Sequence, residues 1–597
     1  MNRPRSGITV ASERPSAPID LRLAPPAIAT WVVAGLLCVT PAAAPGAAVI
    51  AWTLAAAVTT VTLLRSRRAP AGGLPRRLLR GVLPIAALTA AAVALVCTSA
   101  FALGHLRHPP SLDEGRPRPG EAVLVVTGIP KLSTTAAFGA RPGDPPRVSF
   151  DATLESFSAA GLVVAARSPT LVFASADPQT LAIGATLRTR GTLTPLTPGE
   201  SHEFLFFARG SPTVSAGPPW HLAWADTLRS SFHQTTAGLP GDGAALLTGL
   251  AIGDDSAVSQ SLTDAMKVTG LTHLTAVSGA NCAVVVTAVM LVGGAVGIGR
   301  RTRVVVSIAV LVLFVVLVTP EPSVLRAAVM AVIVLVALGL GRPSGGIPPL
   351  CLSIVVLLAL DPWLSTSAGF ALSVLATGGL LLLTRPIAAV AARVMPRWLA
   401  LAVAVPVAAQ VACQPVLFLL APQLTPYTVP ANLLAEPAAA AVGVLGLVVC
   451  LLGVVVPSLA AVAAWVPWLP SAWIAAVARF FAAAPFSVIV LPDALLAAAC
   501  AIAITVLLLV YLLAARSRPR VAAVCGLVAA VGVVLIGGAL AGGALARAGA
   551  VPSDWQLAAC DIGQGDAVLV HSRDRVALVD VGPDPEPLTA CLRRLNV

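Results

Sequence analysis

The sequence contains few charged residues, and this scarcity excludes an ordinary soluble fold. Asp, Glu, Lys and Arg make up 11% of the 597 residues, whereas 57% are hydrophobic. Soluble domains carry roughly 25% charged residues, and a soluble chain of this size could not hide so much apolar surface. The mean hydropathy of +0.89 instead indicates a chain whose solvent is the lipid bilayer.

Aromatic residues and lysine are also scarce. Aromatics make up 5% of the chain, so Ala, Val and Leu fill the apolar stretches, which suits helices packed closely through small residues. Lys131 and Lys267 are the only lysines, and arginine therefore carries almost all of the basic charge. A GC-rich source and arginine-rich cytoplasmic loops account for this bias, so the net charge of +12 is weak evidence for a nucleic-acid partner.

The cysteine pattern predicts no metal centre. Eight of the ten cysteines lie in apolar stretches, where a buried small hydrophobe is the usual role. Residues 105–270 contain no cysteine, so no disulfide can staple them. CxxC and Cys/His metal spacings, HExxH and GxSxG are all absent from the sequence. We therefore predict no metal ligands and no catalytic residues.

Arginine clusters orient the apolar segments. Residues 65–80 carry six arginines after the second of three apolar segments, so this loop is predicted to be cytoplasmic. The segment from about 105 then lies outside. The clusters at 300–303, 385–397 and 516–520 also face the cytoplasm if the later spans alternate. The count stays open at 458–490, which could hold one crossing, two half-helices or an interfacial helix.

The segment that lies outside is predicted to be a small β domain. It is rich in Pro, Gly, Ser and Thr, and these residues separate short runs of β-type residues. A five-stranded OB-like barrel is the right size for this number of strands. The predicted strands are 122–128, 148–157, 161–167, 170–174 and 185–193.

The predicted fold class is mainly α, a polytopic integral membrane helix bundle. It carries a small OB-like β domain outside the cytoplasm and an incomplete C-terminal β segment. The predicted units are a cytoplasmic disordered N-terminus without a signal peptide (1–26), three N-terminal transmembrane helices (27–104), the β domain (105–225), an amphipathic helical connector (226–270), a second transmembrane helical domain (271–546) and a C-terminal soluble segment (547–597).

Polar side chains within the apolar helices are the candidate functional residues, because such groups are costly in a membrane. Interhelical hydrogen bonding, kinked packing helices and, for Arg326, snorkelling to the interface remain open as alternatives. The candidate pathway residues are His273, Ser278, Asn281, Arg326, Gln410, Gln414, Asn432 and Glu436. The candidate phosphate contacts in the β domain are Arg141, Arg147, Arg167, Arg188 and Arg190, with acidic residues interspersed.

Several stretches, in order, resemble the ComEC family of competence proteins. The matching stretches are GLAIGDDSAVSQSLTDAMKVTGLTHLTAVSGANCAVVV (249–286), PSVLRAAVMA (322–331), DPWLSTSAGFALSVLATGGL (361–380), AQVACQPVLF (409–418) and ANLLAEP (431–437). The stretches DIGQGDAVLV (561–570) and LVDVGPDP (578–585) resemble the start of the family's metallo-β-lactamase-like domain. The SGANCA form departs from the family's histidine-containing form at Cys282 or its neighbours, so any role of that histidine is in doubt.

The resemblance implies an inner-membrane channel that translocates single-stranded DNA into the cytoplasm during natural transformation. Its partners would be the lipid bilayer, a DNA receptor, a cytoplasmic translocation motor and a second copy in a homodimer. In the family, a complete C-terminal domain implies a nuclease with divalent metal. The metal-binding motif does not follow LVDVGPDP here, so we predict a truncated domain, no cofactor and no hydrolysis by this chain.

Two other classes of function remain as alternatives. A secondary transporter of a small metabolite would suit Pro-interrupted polar helices, but the sequence has no internal repeat, and the β domain would have no role in it. A membrane-bound hydrolase would need a metal or nucleophile motif.

Overall fold

The chain is described by a computed structural model. The described residues are 20–68, 74–112, 116–132, 147–159, 161–197, 199–275, 279–318, 322–341, 346–491, 493–514, 518–521, 523–532, 538, 555–562, 566–572, 575–581, 585–595 and 597. Ser278 and Arg141 lie outside these residues.

Helices dominate the architecture, as the hydropathy predicts. Eight of the described helices are long and apolar enough to cross a membrane. The helices are α1 (Ala24–Val39), α2 (Ala44–Arg68), α3 (Leu74–Arg107), α4 (Trp220–Thr236), α5 (Gly241–Ile252), α6 (Gln260–Val268), α7 (Gly279–Ala295), α8 (Arg300–Val318), α9 (Pro322–Gly339), α10 (Ile347–Leu360), α11 (Ala368–Ala391), α12 (Arg397–Leu420), α13 (Thr428–Val455), α14 (Pro457–Ala463), α15 (Trp465–Ala482), α16 (Ala494–Ala514), α17 (Pro519–Gly532) and α18 (Pro585–Leu595).

One helix boundary differs from the prediction, and one region that the prediction left open forms helices. The connector helix α4 begins at Trp220 rather than near 226, because Pro218 and Pro219 end the preceding extended segment. The region 458–490 forms two consecutive helices, α14 and α15, which meet at Ala464. These helices pack with α4, α5, α6 and α13 around one apolar core that includes Phe232, Leu247 and Val442.

The β domain is a closed barrel of five strands. Strand β1 pairs with β3, β3 with β4, β4 with β6, β6 with β5, and β5 with β1. The β4–β6 pair is parallel and the other pairs are antiparallel. Two short strands add to this sheet: β2 pairs with β3, and β7 pairs with β5. The strands are β1 (Arg118–Val126), β2 (Lys131–Leu132), β3 (Arg147–Ala159), β4 (Leu162–Ser175), β5 (Thr186–Pro195), β6 (Phe204–Ala208) and β7 (Thr213–Ala216).

The barrel interior explains the alternation along its strands. Inward side chains such as Leu124, Phe150 and Phe206 are buried, and their neighbours face outward. Gly191 lies where two strands approach closely, because a Cβ at this position would fall 2.3 Å from the carbonyl oxygen of Phe207. We expect any larger residue at Gly191 to force β5 away from β6.

A buried ionic cluster joins the barrel to the membrane helices. Arg107, at the end of α3, donates hydrogen bonds to the Glu203 carboxylate and to the Ser201 carbonyl, the latter at 3.1 Å. His108 Nε2 lies 2.6 Å from the other Glu203 oxygen. The Arg107 guanidinium also stacks 4.4 Å from the ring centroid of Trp363. Burial opposes ionisation of Glu203, but the hydrogen bonds from His108 and Arg107 outweigh it and lower the pKa of this carboxyl.

The C-terminal segment forms a small antiparallel sheet covered by α18. Its strands, in the order β10–β11–β12, pack Ile562 and Leu569 against Leu588. A disulfide joins Cys560 in β10 to Cys591 in α18. The remaining strands are β8 (Gln423–Leu424), β9 (Ile489–Val490), β10 (Leu557–Asp561), β11 (Asp566–Ser572) and β12 (Arg575–Val579).

The disulfide gives a test of which compartment holds this segment. Disulfides persist outside the reducing cytoplasm, and the predicted alternation of spans would put residues 547–597 outside. We expect denatured, unreduced protein from membranes to expose eight thiols to maleimide, and ten after reduction, because eight cysteines are free in the structure. A Cys560→Ser, Cys591→Ser double variant should expose eight thiols under both conditions. Ten thiols before reduction would contradict an outside location.

Candidate functional site

Five helices surround the candidate pathway in a closed order of contacts. Helix α7 packs against α9, α9 against α11, α11 against α12, α12 against α13, and α13 against α7. Each of these helices carries at least one polar side chain within its apolar sequence. The order of contacts therefore brings together side chains that are far apart in the sequence.

Small residues allow the ring helices to approach closely. A Cβ at Gly379 of α11 would lie 2.6 Å from the Cβ of Ala412 on α12. A Cβ at Gly279 of α7 would lie 3.0 Å from the Cβ of Ala327 on α9. Such contacts are typical of helix packing in membranes, and they leave little freedom to enlarge these positions.

Arg326 is the most unusual residue of the ring. Its side chain is buried between α7, α9 and α11, with 5% of the residue exposed. Nε donates a hydrogen bond of 2.9 Å to Ser373 Oγ on α11. Within the described part of the chain, no carboxylate pairs with this guanidinium. A buried cation with one neutral oxygen partner is costly, so the site favours an anion.

Further polar groups lie on α12 and α13. Gln410 donates a side-chain hydrogen bond to Gln414, one turn along α12. The amide nitrogen of Asn432 donates to the Thr428 carbonyl at 2.8 Å, while its buried amide oxygen has no partner among the described atoms. Glu436 is half-buried and makes no hydrogen bond or ion pair with any described residue.

The two remaining described candidates lie near the start of α7. The amide of Asn281 packs against α13, where a Cβ at Gly443 would lie 2.9 Å from the Asn281 Oδ1. His273 lies in the short turn before α7, and its Nδ1 is 3.0 Å from the Gly270 carbonyl oxygen. The structure thus places Asn281 where α7 contacts α13, and His273 in the turn that precedes α7.

The connector caps the C-terminal end of α8. Arg229 of α4 donates hydrogen bonds of 3.0 and 2.9 Å to the Leu317 and Val316 carbonyls, which are unpaired at the end of α8. Sequence reasoning missed this cap, because Arg229 lies in an amphipathic helix, where a charged residue is ordinary.

The connector also contains an ion pair that is expected to depend on pH. His233 Nε2 lies 2.6 Å from the Asp254 carboxylate, and the Ser256 amide donates to the same carboxylate at 3.0 Å. The hydrogen bond to Asp254 raises the pKa of His233. Burial opposes ionisation of Asp254, but the hydrogen bonds from His233 and Ser256 outweigh it and lower the pKa of Asp254. Next to it, Asp255 pairs with Lys131 of the β domain at 2.9 Å.

These shifts set a pH window for the connector loop. The ion pair of protonated His233 stabilises the loop fully below about pH 6.5, and this stabilisation is lost as the pH rises through the raised pKa of His233. Ionised Asp254 stabilises the loop fully above about pH 4, and this stabilisation is lost as the pH falls through the lowered pKa of Asp254. We expect residues 253–259 to be better protected from hydrogen exchange at pH 5.5 than at pH 8.0, after correction for intrinsic rates. His233→Gln should remove the difference. Equal protection of the native protein at both values would contradict it.

The predicted arginines of the β domain are exposed on three strands. Arg147 begins β3, Arg167 lies on β4, and Arg188 and Arg190 lie on β5. Both β5 arginines approach Glu121, at 3.7 and 3.4 Å. Exposed pairs of this kind contribute little to stability, so their charge remains open to a ligand.

The described residues contain no group of three or more His, Cys, Asp or Glu that could hold a metal ion. The part of the C-terminal segment that the structure describes therefore does not fit a two-metal nuclease centre.

Taken together, the helices and the barrel define a multi-pass membrane protein that carries a separate β domain. Residues 250–543, from the end of α5 through α17, match the family model described as competence protein. This match and the relative that follows support a ComEC-type competence protein. It is similar to ComE operon protein 3 of Bacillus subtilis (strain 168), with 31% identity over 139 residues, which are 23% of this chain and 18% of that protein. No solved structure matches the chain.

Proposed function

We propose that the ring of α7, α9, α11, α12 and α13 passes single-stranded DNA across the inner membrane into the cytoplasm during natural transformation. One observation carries this proposal. Arg326 is a cation buried between α7, α9 and α11, and no carboxylate pairs with it in the described part of the chain. The match of residues 250–543 to the competence family model supports DNA as the cargo.

The ring suits a polyanion that must enter and also leave. Arg326 and the amide groups at the start of α7 would meet a phosphate. The side chains of Asn281, Gln410 and Asn432 offer neutral hydrogen-bond donors, which bind more weakly than further cations would. Glu436 would repel phosphate and so limit how long the strand stays. A transported ion must not be bound too tightly, because it has to leave.

The β domain would engage the DNA before it enters the ring. We propose that it is an OB-fold, on the basis of the closed order β1–β3–β4–β6–β5 and the parallel β4–β6 pair. Proteins with OB-folds bind single strands by base stacking and backbone contacts. The exposed arginines Arg147, Arg167, Arg188 and Arg190 would contact the phosphates.

The remaining parts of the machinery are also proposals. A receptor would deliver DNA to the β domain, a cytoplasmic motor would pull the strand, and a second copy of the chain could form a homodimer. The aligned region covers 18% of the curated relative, so no activity of that protein is carried over. The C-terminal sheet is proposed to be metallo-β-lactamase-like from the motifs at 561–570 and 578–585.

DNA uptake in the source organism tests the proposal. A deletion strain complemented with this chain should move labelled DNA into a DNase-protected state, and the deletion strain alone should not. A second strain is complemented with a version whose C-terminal domain is completed. Equal uptake by the two complemented strains would show that the channel works without a nuclease domain. If a competent strain keeps normal uptake after deletion of the gene, the DNA channel is the wrong function and a small-molecule transporter is the next candidate.

A further inference from the structure

Two phenylalanines form an exposed stacked pair on the outside of the barrel. Phe173 of β4 and Phe207 of β6 are directly opposite each other in the parallel pair. Their ring centroids are 5.2 Å apart, and the ring planes differ by 11°. Phe207 is 45% exposed and Phe173 is half-buried. The adjacent Phe206 and Val172 fill the barrel interior, so the outward pair is not needed for the core.

Arginines surround this pair on the same face. Thr192 is opposite Phe207, which puts Arg190 on the neighbouring diagonal. Arg209 follows Phe207 by two residues, and its amide donates to the Arg190 carbonyl at 2.7 Å. On the other side, Arg147 is opposite Ser175, two residues beyond Phe173. All three arginines are exposed.

The nearby carboxylates already have partners. Asp151 Oδ1 lies 2.8 Å from His202 Nε2. Glu121 lies beside Arg188 and Arg190, on the far side of Arg190 from the rings. The face therefore combines a flat apolar centre with a cationic margin.

We propose that Phe173 and Phe207 form a base-stacking platform for single-stranded DNA, whose phosphates contact Arg147, Arg190 and Arg209. This inference rests on the proposed function and names the contacts by which the β domain would hold the strand. Stacking on aromatic rings accepts every base and requires the bases to be unpaired. Arginines at the margin add phosphate contacts that depend on salt.

Binding of labelled oligonucleotides to the full chain in detergent tests the platform. The probes are a 16-nucleotide oligothymidine and an abasic strand with the same number of phosphates. Because stacked bases contribute to the affinity, a Phe173→Ala, Phe207→Ala double variant should bind oligothymidine at least about tenfold more weakly. Its affinity for the abasic strand should equal that of the native protein. Leu162→Ala, which truncates an exposed apolar residue elsewhere on β4, is the matched control.

The outcomes separate the platform from the channel. A Phe173→Leu, Phe207→Leu variant keeps the apolar bulk but lacks flat rings. It should therefore also lose the preference for oligothymidine over the abasic strand. If both double variants bind oligothymidine like the native protein, the platform is wrong and the channel proposal stands. If the native protein binds neither probe, both the platform and DNA binding by the β domain are wrong. If the variants alter only the oligomeric state, the pair covers a second copy instead.

Discussion

Replacing Arg326 with alanine is expected to reduce DNA entry by at least about tenfold, because a hydrogen bond to a charged group contributes roughly 1.5–3 kcal/mol. The variant keeps the ring helices but removes the buried cation between α7, α9 and α11. Lysine at this position should recover part of the activity, since it restores the charge without the planar fork of the guanidinium. DNase-protected label per cell, normalised to the amount of protein in the membrane, is the measurement.

The controls distinguish a loss of passage from a loss of folding. Arg393→Ala removes an arginine that is exposed at the end of α11, outside the ring, and should leave uptake unchanged. Ser373→Ala removes the neutral partner of Arg326 while the cation remains, so its effect should be smaller than that of Arg326→Ala. Native uptake by an Arg326→Ala variant present at the native level would show that this guanidinium does not contact the strand.

Replacing Glu203 with alanine is expected to destabilise the β domain by about 3–5 kcal/mol, because it leaves Arg107 buried without its carboxylate. The Glu203 side chain is 1% exposed, and it pairs with both Arg107 and His108. Cleavage by a dilute protease follows the population of the opened domain. Cutting within the barrel of the full chain should therefore be roughly a hundredfold faster or more.

Two variants check that the cause is the unpaired charge. Glu155→Ala removes an exposed carboxylate from β3 and should leave the cleavage rate within a factor of about two, because exposed charges contribute little. An Arg107→Met, Glu203→Leu double variant removes both charges and should recover most of the stability. Equal cleavage of Glu203→Ala and native protein would mean that the cluster does not hold the barrel.

The helices could be predicted from the sequence more fully than the barrel. Apolar runs flanked by arginine clusters mark the long helices directly, because the membrane imposes their length and composition. The predicted strands 161–167 and 170–174 are a single strand, β4, which passes through Pro169 without a break. The closing strand β6 (Phe204–Ala208) was missed. It is short, and its parallel pairing with β4 is a non-local contact that no local pattern encodes.

The candidate residues could be predicted by type, but their partners could not. Arg326 stands out as a charge in an apolar run, whereas its contact with Ser373 depends on how α9 and α11 pack. Phe173 and Phe207 look like core residues in their apolar strands, and only the register shows that they face outward. The Cys560–Cys591 disulfide was likewise not predicted, because two cysteines far apart in a sequence give no pairing geometry.

The cluster around Arg107 also sets an order of events during synthesis. Arg107 is made first, Glu203 follows 96 residues later, and Trp363, which covers the guanidinium, follows after about 160 more. Protein synthesis adds about 5–20 residues per second. The barrel is therefore complete on the order of ten seconds before Trp363, which covers Arg107, has been made. On the predicted topology, the newly made barrel is outside the cytoplasm with its ionic end uncovered during this time. A chaperone on that side of the membrane would meet the chain during this interval, before the later helices have been inserted.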